Sequence, residues 1–184
     1  VEIIKIRGQE AAHLAWEAQA AGIGRIEGVC DAHKIACNFR RLDAYLFPGP
    51  GTKQSELDDE LRAAKKIGIA AEKVRGVPLN ELSDTGAILY RNQATFHPGR
   101  YLRALAELIV ARGGKLYADT VVTAVEEADG AVTVRTANGE TVQAAPAVVA
   151  TNSPINDRVA IHSKMAPYRT YAMAFTIPKD AIPD

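Results

Sequence analysis

The tract 93–152 constrains the fold of this chain more than any other part, because turn and helix signals divide it into elements of definite order. Pro98 fixes its own φ at a value that suits the first turn of a helix, and an apolar series at helical spacing follows it up to Gly113. Glycine just past the last turn is a common helix stop. The tract therefore begins with a predicted helix over 98–112.

The segment after this helix alternates strand-forming runs with tight turns. Residues 119–127 and 131–136 are rich in valine and threonine, which favour strands. Asp-Gly at 129–130 and Asn-Gly at 138–139 supply the positive φ angles that short hairpin turns require. This pattern predicts a meander of antiparallel strands.

Two further runs predict a small parallel layer beside the meander. Residues 115–118 form a short strand in this interpretation. Residues 141–150 begin polar and become apolar, which is typical of a strand buried on both faces of a parallel sheet. We expect the helix 98–112 to pack on a layer made of 115–118 and 146–150.

The first part of the chain predicts a helix over 9–36, from its Ala, Glu and Leu content and its apolar spacing. Within it, the glycine-rich stretch 22–28 is superficially similar to the phosphate-binding turn of a dinucleotide fold. That turn needs a strand directly before it, so that helix N-terminal amides meet the pyrophosphate, and its third glycine comes one residue sooner. Because an Ala-rich helix precedes 22–28, we favour a weakened or kinked helix over the phosphate-binding alternative.

The remaining elements before residue 93 follow from ordinary signals. Residues 40–47 predict a strand that the Pro-Gly run at 48–51 ends, and 54–69 predict a charged amphipathic helix. Residues 72–84 predict an irregular stretch, and 86–90 predict another strand.

Three residues are candidates for chemistry, and each has a structural alternative. Cys30 and Cys37 lie too far apart for a redox Cys-x-x-Cys motif and are too few for a zinc site, so we predict two reduced, buried thiols and no metal. His97 stands just before a helix without a nearby carboxylate or cysteine, which favours a capping or packing role over that of a general base. No catalytic residue is assigned.

Charge and hydropathy indicate a small-molecule partner rather than nucleic acid. Lysine plus arginine and aspartate plus glutamate number 22 each, so no net field attracts a polyanion or an anionic membrane. No uncharged apolar run approaches the roughly 20 residues that cross a bilayer, and the N-terminus lacks the layout of a signal peptide. We therefore expect a cytoplasmic protein without a membrane span.

The order of elements in 93–152 resembles the second half of the flavin-binding domain in FAD-dependent amine and amino-acid oxidoreductases, the glycine oxidase and D-amino-acid oxidase superfamily. This resemblance implies an α/β (mixed α+β) fold, comprising part of a split FAD-binding domain with a β-meander and part of a substrate-binding domain. The implied boundaries are 1–92 for a substrate-domain excursion, 93–154 for the FAD-binding half and 155–184 for the return into the substrate domain. Both ends of the chain look cut, so we expect an internal fragment.

The resemblance also implies site residues. Thr120-Val121-Val122 matches a Thr-x-Val pattern in which the valine backbone holds the adenine, and the turn after the apolar strand lies against the dinucleotide. The implied cofactor-binding residues are Val122, Ala150, Thr151 and Asn152. An Ala-Thr-Asn turn is typical of the amino-acid dehydrogenase and gamma-glutamylputrescine oxidase side of the superfamily. A strand over 164–175 carries Arg169 and Tyr171, which are substrate-binding candidates beside the structural alternative of plain strand residues.

The implied activity is oxidation of an amine or amino acid by hydride transfer to FAD. The family's Gly-x-Gly-x-x-Gly turn would lie before Val1, so the fragment alone is expected to bind FAD weakly or not at all and to be inactive. Bare sheet edges predict self-association. The alternative is a cofactor-free α+β binding or scaffold module that shares only architecture with the flavoproteins.

Overall fold

A computed structural model of the chain describes residues 1–79, 82–151 and 170–178. The chain divides into two compact units, one of Val1–Gly113 with the stretch that begins at Ile177, and one of Gly114–Thr176. The elements in chain order are α1 (Glu2–His33), β1 (Arg40–Leu46), α2 (Gln54–Lys66), β2 (Ala71–Arg75), β3 (Gly86–Thr95), α3 (Pro98–Ala111), β4 (Val122–Ala128), β5 (Ala131–Thr136) and β6 (Thr141–Ala144).

The first unit is built on an antiparallel sheet of order β1-β3-β2, so β3 is paired on both edges. The side chains of α2 and the sheet form its core, because the apolar stripe of α2 needs cover and β3 supplies it. Tyr90 extends this core toward α1, where its ring lies 5.6 Å from that of Trp16. The central buried residues are Leu57, Ala64, Ala71 and Ile88.

Helix α1 runs through the glycine-rich stretch 22–28 without interruption, so the favoured helix is confirmed there and the expected kink is wrong. The non-helical residue is Gly8, whose φ of 85° suits a residue without a Cβ. Helix rather than strand precedes 22–28, as predicted, and this excludes a dinucleotide-binding turn at that place. None of the described helices is long and apolar enough to cross a membrane.

The irregular stretch predicted over 72–84 is wrong for its first residues, because they belong to strand β2. Ala71 pairs with Tyr90 and Arg75 with Gly86, so β2 runs antiparallel to β3 along its whole length. The exposed, charged side chains of β2 hide the strand pattern, and its formation depends on pairing with residues far along the chain. Strand β3 also extends beyond the predicted 86–90 to Thr95.

Helix α3 confirms the predicted helix at 98–112. The ring Nδ1 of His97 accepts a hydrogen bond from the backbone N–H of Arg100 at 3.3 Å, and Pro98 stands in the first turn. His97 therefore has the predicted capping role, which satisfies one of the free N–H groups at the helix start.

The second unit contains the predicted meander, an antiparallel sheet of order β4-β5-β6. Asp129, Gly130 and Gly139 adopt positive φ angles of 51°, 74° and 85° in its turns. Among the described residues of this unit, Val132 and Thr136 are the buried ones. The meander therefore leaves most of its apolar side chains uncovered.

The parallel layer expected from 115–118 and 146–150 is wrong for the described part of the chain. Neither run forms a strand, and β6 ends at Ala144. Val148 is 90% exposed, whereas a strand within a parallel layer would be buried on both faces. An apolar run becomes a strand only where a neighbour pairs with its backbone, and both described sheets are antiparallel.

Candidate functional site

Val122, the predicted adenine contact, is the first residue of β4 and lies at a β-bulge. Val122 pairs with Thr136 and Ala124 with Arg135, so Thr123 is the extra residue. The Thr123 hydroxyl donates to the carbonyl of Arg135 at 3.3 Å. A bulge turns a strand and changes the direction of its side chains, which is why bulges are common beside ligand sites.

Two exposed valines, Val121 and Val122, lie at the start of β4. The Val121 carbonyl accepts from the Ala137 N–H at 2.9 Å, which extends the β4–β5 pairing by one bond. The side chains of Val121 and Val122 are 65% and 37% exposed, so neither is covered by the meander. An apolar surface is therefore exposed at this end of β4.

Of the other three predicted cofactor residues, two belong to the described part of the chain. Ala150 and Thr151 are exposed and outside any strand, and Asn152 falls outside the described residues. No hydrogen bond joins Ala150 or Thr151 to Val122 in the part of the chain that the structure describes. Their grouping into one site stays a prediction.

The substrate-binding candidates are not placed in a pocket. Arg169 lies outside the described residues, and so does the first half of the strand predicted over 164–175. Tyr171 is 87% exposed, and the described stretch 170–178 has no strand. The expected strand is therefore wrong for 170–175, because no described segment pairs with that stretch.

The first unit carries a polar sheet face that the sequence analysis did not identify. Tyr45 and Glu72 flank Leu89 directly on the two neighbouring strands, and Arg91 follows Leu89 on the same face of β3. An open groove of about 840 Å³ lies here, lined by Arg40, Arg41, Leu42, Asp43, Tyr45, Pro78, Arg91 and Asn92.

Arg91 organises the charges of this sheet face. Its Nε and Nη2 donate to the two Glu72 carboxylate oxygens at 2.7 and 3.3 Å, and its Nη1 donates to Asp43 at 3.3 Å. The hydrogen bond from Arg91 lowers the pKa of Glu72 from its ordinary value of 4.5. The Glu72 hydrogen bond in turn raises the pKa of Arg91. The groove thus has fixed charges of both signs that can orient a polar ligand.

Replacing Arg91 with methionine is expected to return the Glu72 pKa to its ordinary range. A lowered folded pKa adds stability above the unfolded pKa, and this stability is lost as the pH falls through the folded value. Because both side chains are more than half exposed, the loss of stability should be small. An NMR titration of the Glu72 carboxyl measures the change, with Arg62→Met as the matched control because Arg62 pairs with Asp59 instead. An unchanged Glu72 pKa in Arg91→Met would contradict the assignment.

The sequence pattern predicts only the β3 side chains of this sheet face. Leu89 and Arg91 are two residues apart, which predicts one shared face once β3 is recognised as a strand. Glu72 and Asp43 belong to other strands, and the stretch holding Glu72 was predicted to be irregular. Their convergence on Arg91 depends on the register of three strands, which local patterns do not set.

Comparison with known proteins identifies the family. A family model described as FAD dependent oxidoreductase matches residues 5–184, nearly the whole chain. The chain belongs to this family. The predicted resemblance to the glycine oxidase and D-amino-acid oxidase superfamily is therefore confirmed.

Two similar proteins show that this member of the FAD dependent oxidoreductase family matches only part of a longer chain. The chain is 37% identical over 120 residues to the Bacillus subtilis (strain 168) protein YhfW, whose name describes a Rieske 2Fe-2S iron-sulfur protein, covering 65% of this chain and 23% of YhfW. It also resembles the crystal structure of glycine oxidase from Geobacillus kaustophilus, with a TM-score of 0.54, 20% identity, and coverage of 72% of this chain and 37% of that one. The structural likeness confirms the mixed α/β fold class. The chain spans less than half the length of either protein.

Proposed function

We propose that this chain is part of a flavin-dependent oxidoreductase that oxidises an amine or an amino acid by hydride transfer to FAD. The family match over residues 5–184 is the observation that carries the proposal. The same match speaks against the alternative of a cofactor-free binding or scaffold module. The domain boundaries at 1–92, 93–154 and 155–184 belong to this proposal.

The chain's own part in FAD binding is to hold the adenine half of the cofactor. In the proposal, the Val122 backbone at the β4 bulge contacts the adenine, and Ala150, Thr151 and Asn152 let the backbone approach the dinucleotide. The exposure of Val121 and Val122 supports this, because an apolar surface at a strand end can be covered by a flat ring. Bound FAD supplies the hydride acceptor, whereas the protein supplies position and charge.

The substrate domain, in this proposal, includes the three-stranded sheet of the first unit. The polar sheet face of the first unit presents the Arg91 guanidinium. Hydrogen bonds to the Glu72 and Asp43 carboxylates orient this guanidinium. Arg169 and Tyr171 are proposed to contact the amine or amino-acid substrate from the returning segment. These roles rest on the family's arrangement and on the chemistry of the side chains.

An anaerobic titration of the whole natural protein tests the proposed reaction. Glycine, D-amino acids, L-amino acids and polyamines are added separately, and the visible flavin band is followed. We expect one of these classes to bleach the band, since reduction of FAD removes it. A D-amino acid would indicate a dehydrogenase of that class, and a polyamine would indicate the glutamylputrescine oxidase type. A flavin that none of the amines reduces would contradict the substrate class.

A second proposal concerns the electron acceptor of the whole protein. The 37% identity to YhfW associates this chain with a protein named for a Rieske 2Fe-2S cluster. We infer that such a cluster would be the electron acceptor of the whole protein and would take the electrons of the reduced flavin one at a time. Iron and sulfide analysis with electron paramagnetic resonance of the natural protein tests this. A flavoprotein without iron would refute the acceptor while leaving the proposed amine oxidation intact.

A further inference from the structure

Cys30 and Cys37 bring their sulfurs within 3.4 Å of each other inside the first unit. Both are free thiols, Cys30 is 7% exposed and Cys37 is fully buried. Cys30 lies in the last turns of α1, and Cys37 lies in the segment 34–39, which has no helix or strand. The two thiols are buried and free, as predicted, and the fold also brings their sulfurs into contact.

The backbone between the two cysteines is held in a tight reversal. Lys34 ends α1 in the left-handed region with φ 53°, and the Ile35 N–H donates to the Cys30 carbonyl at 2.9 Å. The Cys37 N–H then donates to the Ile35 carbonyl at 3.0 Å, which points the chain back toward the helix. The pairing of the sulfurs therefore follows from helix termination and not from chance proximity of distant segments.

We propose that Cys30 and Cys37 are a redox modification site, which a low-molecular-weight disulfide converts into an intramolecular disulfide. One thiolate attacks the small disulfide and releases its first thiol, and the second cysteine then displaces the other thiol from the mixed disulfide. The pair loses two electrons and two protons, and the small disulfide becomes two thiols. The inference does not depend on the proposed flavin chemistry.

The geometry needs only a small adjustment. A disulfide bond is about 2 Å long, so the sulfurs must approach by a little over 1 Å. The segment 34–39 belongs to no helix or strand ladder, so a movement of this size does not require regular structure to break. A surface cavity of about 530 Å³ that both cysteines line offers the reagent a path to Cys30, which is 7% exposed, whereas Cys37 is fully buried. The charged residues that line this cavity are Glu27, Asp31, Lys34, Arg40 and Arg41.

Burial makes the exchange slow at neutral pH. Desolvation and the hydrogen bond to Cys37 raise the pKa of the Cys30 thiol to about 11. The Cys30 thiolate is therefore scarce in the folded protein. An incubation at mildly alkaline pH gives enough thiolate for exchange within an experiment.

The disulfide would also tie α1 to the start of α3. The Cys37 carbonyl accepts from the His97 N–H at 2.7 Å, and His97 caps α3. Closing the bond between Cys30 and Cys37 fixes this carbonyl relative to α1. The oxidised protein thus differs from the reduced one at the joint between the sheet and α3.

The test treats the folded chain with oxidised glutathione, stops the exchange with acid, and measures intact mass and thiol alkylation after unfolding. We expect the chain to lose two hydrogen atoms in mass and both alkylatable thiols, with reversal by a reducing agent. Cys37→Ser should stop at a glutathione adduct on Cys30, whereas Cys30→Ser leaves only the fully buried Cys37 and should react more slowly. Three results in the unsubstituted chain would each overturn the proposal: two thiols that can still be alkylated, a stable glutathione adduct, or a disulfide-linked dimer.

A matched variant separates the folded geometry from oxidation of unfolded chains. The double substitution Ala36→Cys with Cys37→Ser moves the second cysteine by one residue to an exposed position. An unfolded chain would close this loop as readily as the original one. We expect the variant to stop at a glutathione adduct at least tenfold more often than the unsubstituted chain. Equal yields of intramolecular disulfide would overturn the role of the folded pair.

Discussion

The 184-residue chain, mixed with FAD and then desalted, is expected to be colourless. The glycine-rich stretch 22–28 lies within α1, so it does not form the strand–glycine turn–helix unit of a dinucleotide fold. The pyrophosphate of a dinucleotide is normally held by amides at such a helix start. Losing two charge-assisted hydrogen bonds of about 1.5–3 kcal/mol each weakens binding by roughly 100- to 10,000-fold. Absorbance of the desalted protein in the visible range measures the result.

The control is the natural protein that contains this chain, treated in the same way. It should retain a flavin band, because the proposed phosphate-binding half is then present. A thermal melt of the 184-residue chain shows whether it is folded, so that a lack of flavin is not confused with unfolding. A stoichiometric flavin band in the short chain would show that the Val122 region binds FAD without that half.

Local signals predicted the elements that depend on neighbours in sequence. Helix α3 begins at Pro98 and ends just before Gly113 because proline and glycine act on the backbone directly. The hairpin at Asp129 and Gly130 formed as predicted because those residues tolerate positive φ. Each of these elements owes its position to one or two residues.

Elements that depend on distant partners were predicted poorly. Strand β2 has a charged sequence, and it is a strand because β3 pairs with it. Residues 146–150 have a strand-like sequence, yet they form no strand because no described segment pairs with them. An isolated strand leaves its backbone groups without partners, so composition alone cannot decide whether it forms.

In the candidate site too, features set by neighbours in sequence were predicted, and features set by distant residues were not. Val122 follows a recognisable Thr-x-Val pattern and lies at an accessible strand end, whereas the bulge beside it became visible only from the β4–β5 register. The Cys30 and Cys37 contact depends on how α1 ends, and the spacing of the two cysteines did not reveal it. Predictions of FAD contacts came from the family resemblance and not from the spacing of residues.

Ile88→Ala is expected to destabilise the first unit by about 2–5 kcal/mol, because it truncates the largest fully buried side chain of the described residues. Ile88 is 1% exposed and lies on the central strand, paired with Leu46 on one side and Lys73 on the other. Its side chain packs in the core with Leu57 and Ala64. Leu57 and Ala64 both belong to α2, so neither can fill the space left by the Ile88 side chain unless the helix moves. We therefore expect much of the resulting cavity to persist.

Urea unfolding followed by tryptophan fluorescence measures this loss in the unit concerned. Trp16 is the single tryptophan of the sequence, and its ring lies 5.6 Å from Tyr90, which packs against the same core. Ile6→Ala is the matched control, since Ile6 is 70% exposed and its truncation should change the free energy of unfolding by no more than about 0.5 kcal/mol. Equal shifts of the unfolding midpoint in the two variants would mean that α2 and β3 do not form the main core. A large shift confined to Ile88→Ala would locate the stability of this unit at that contact.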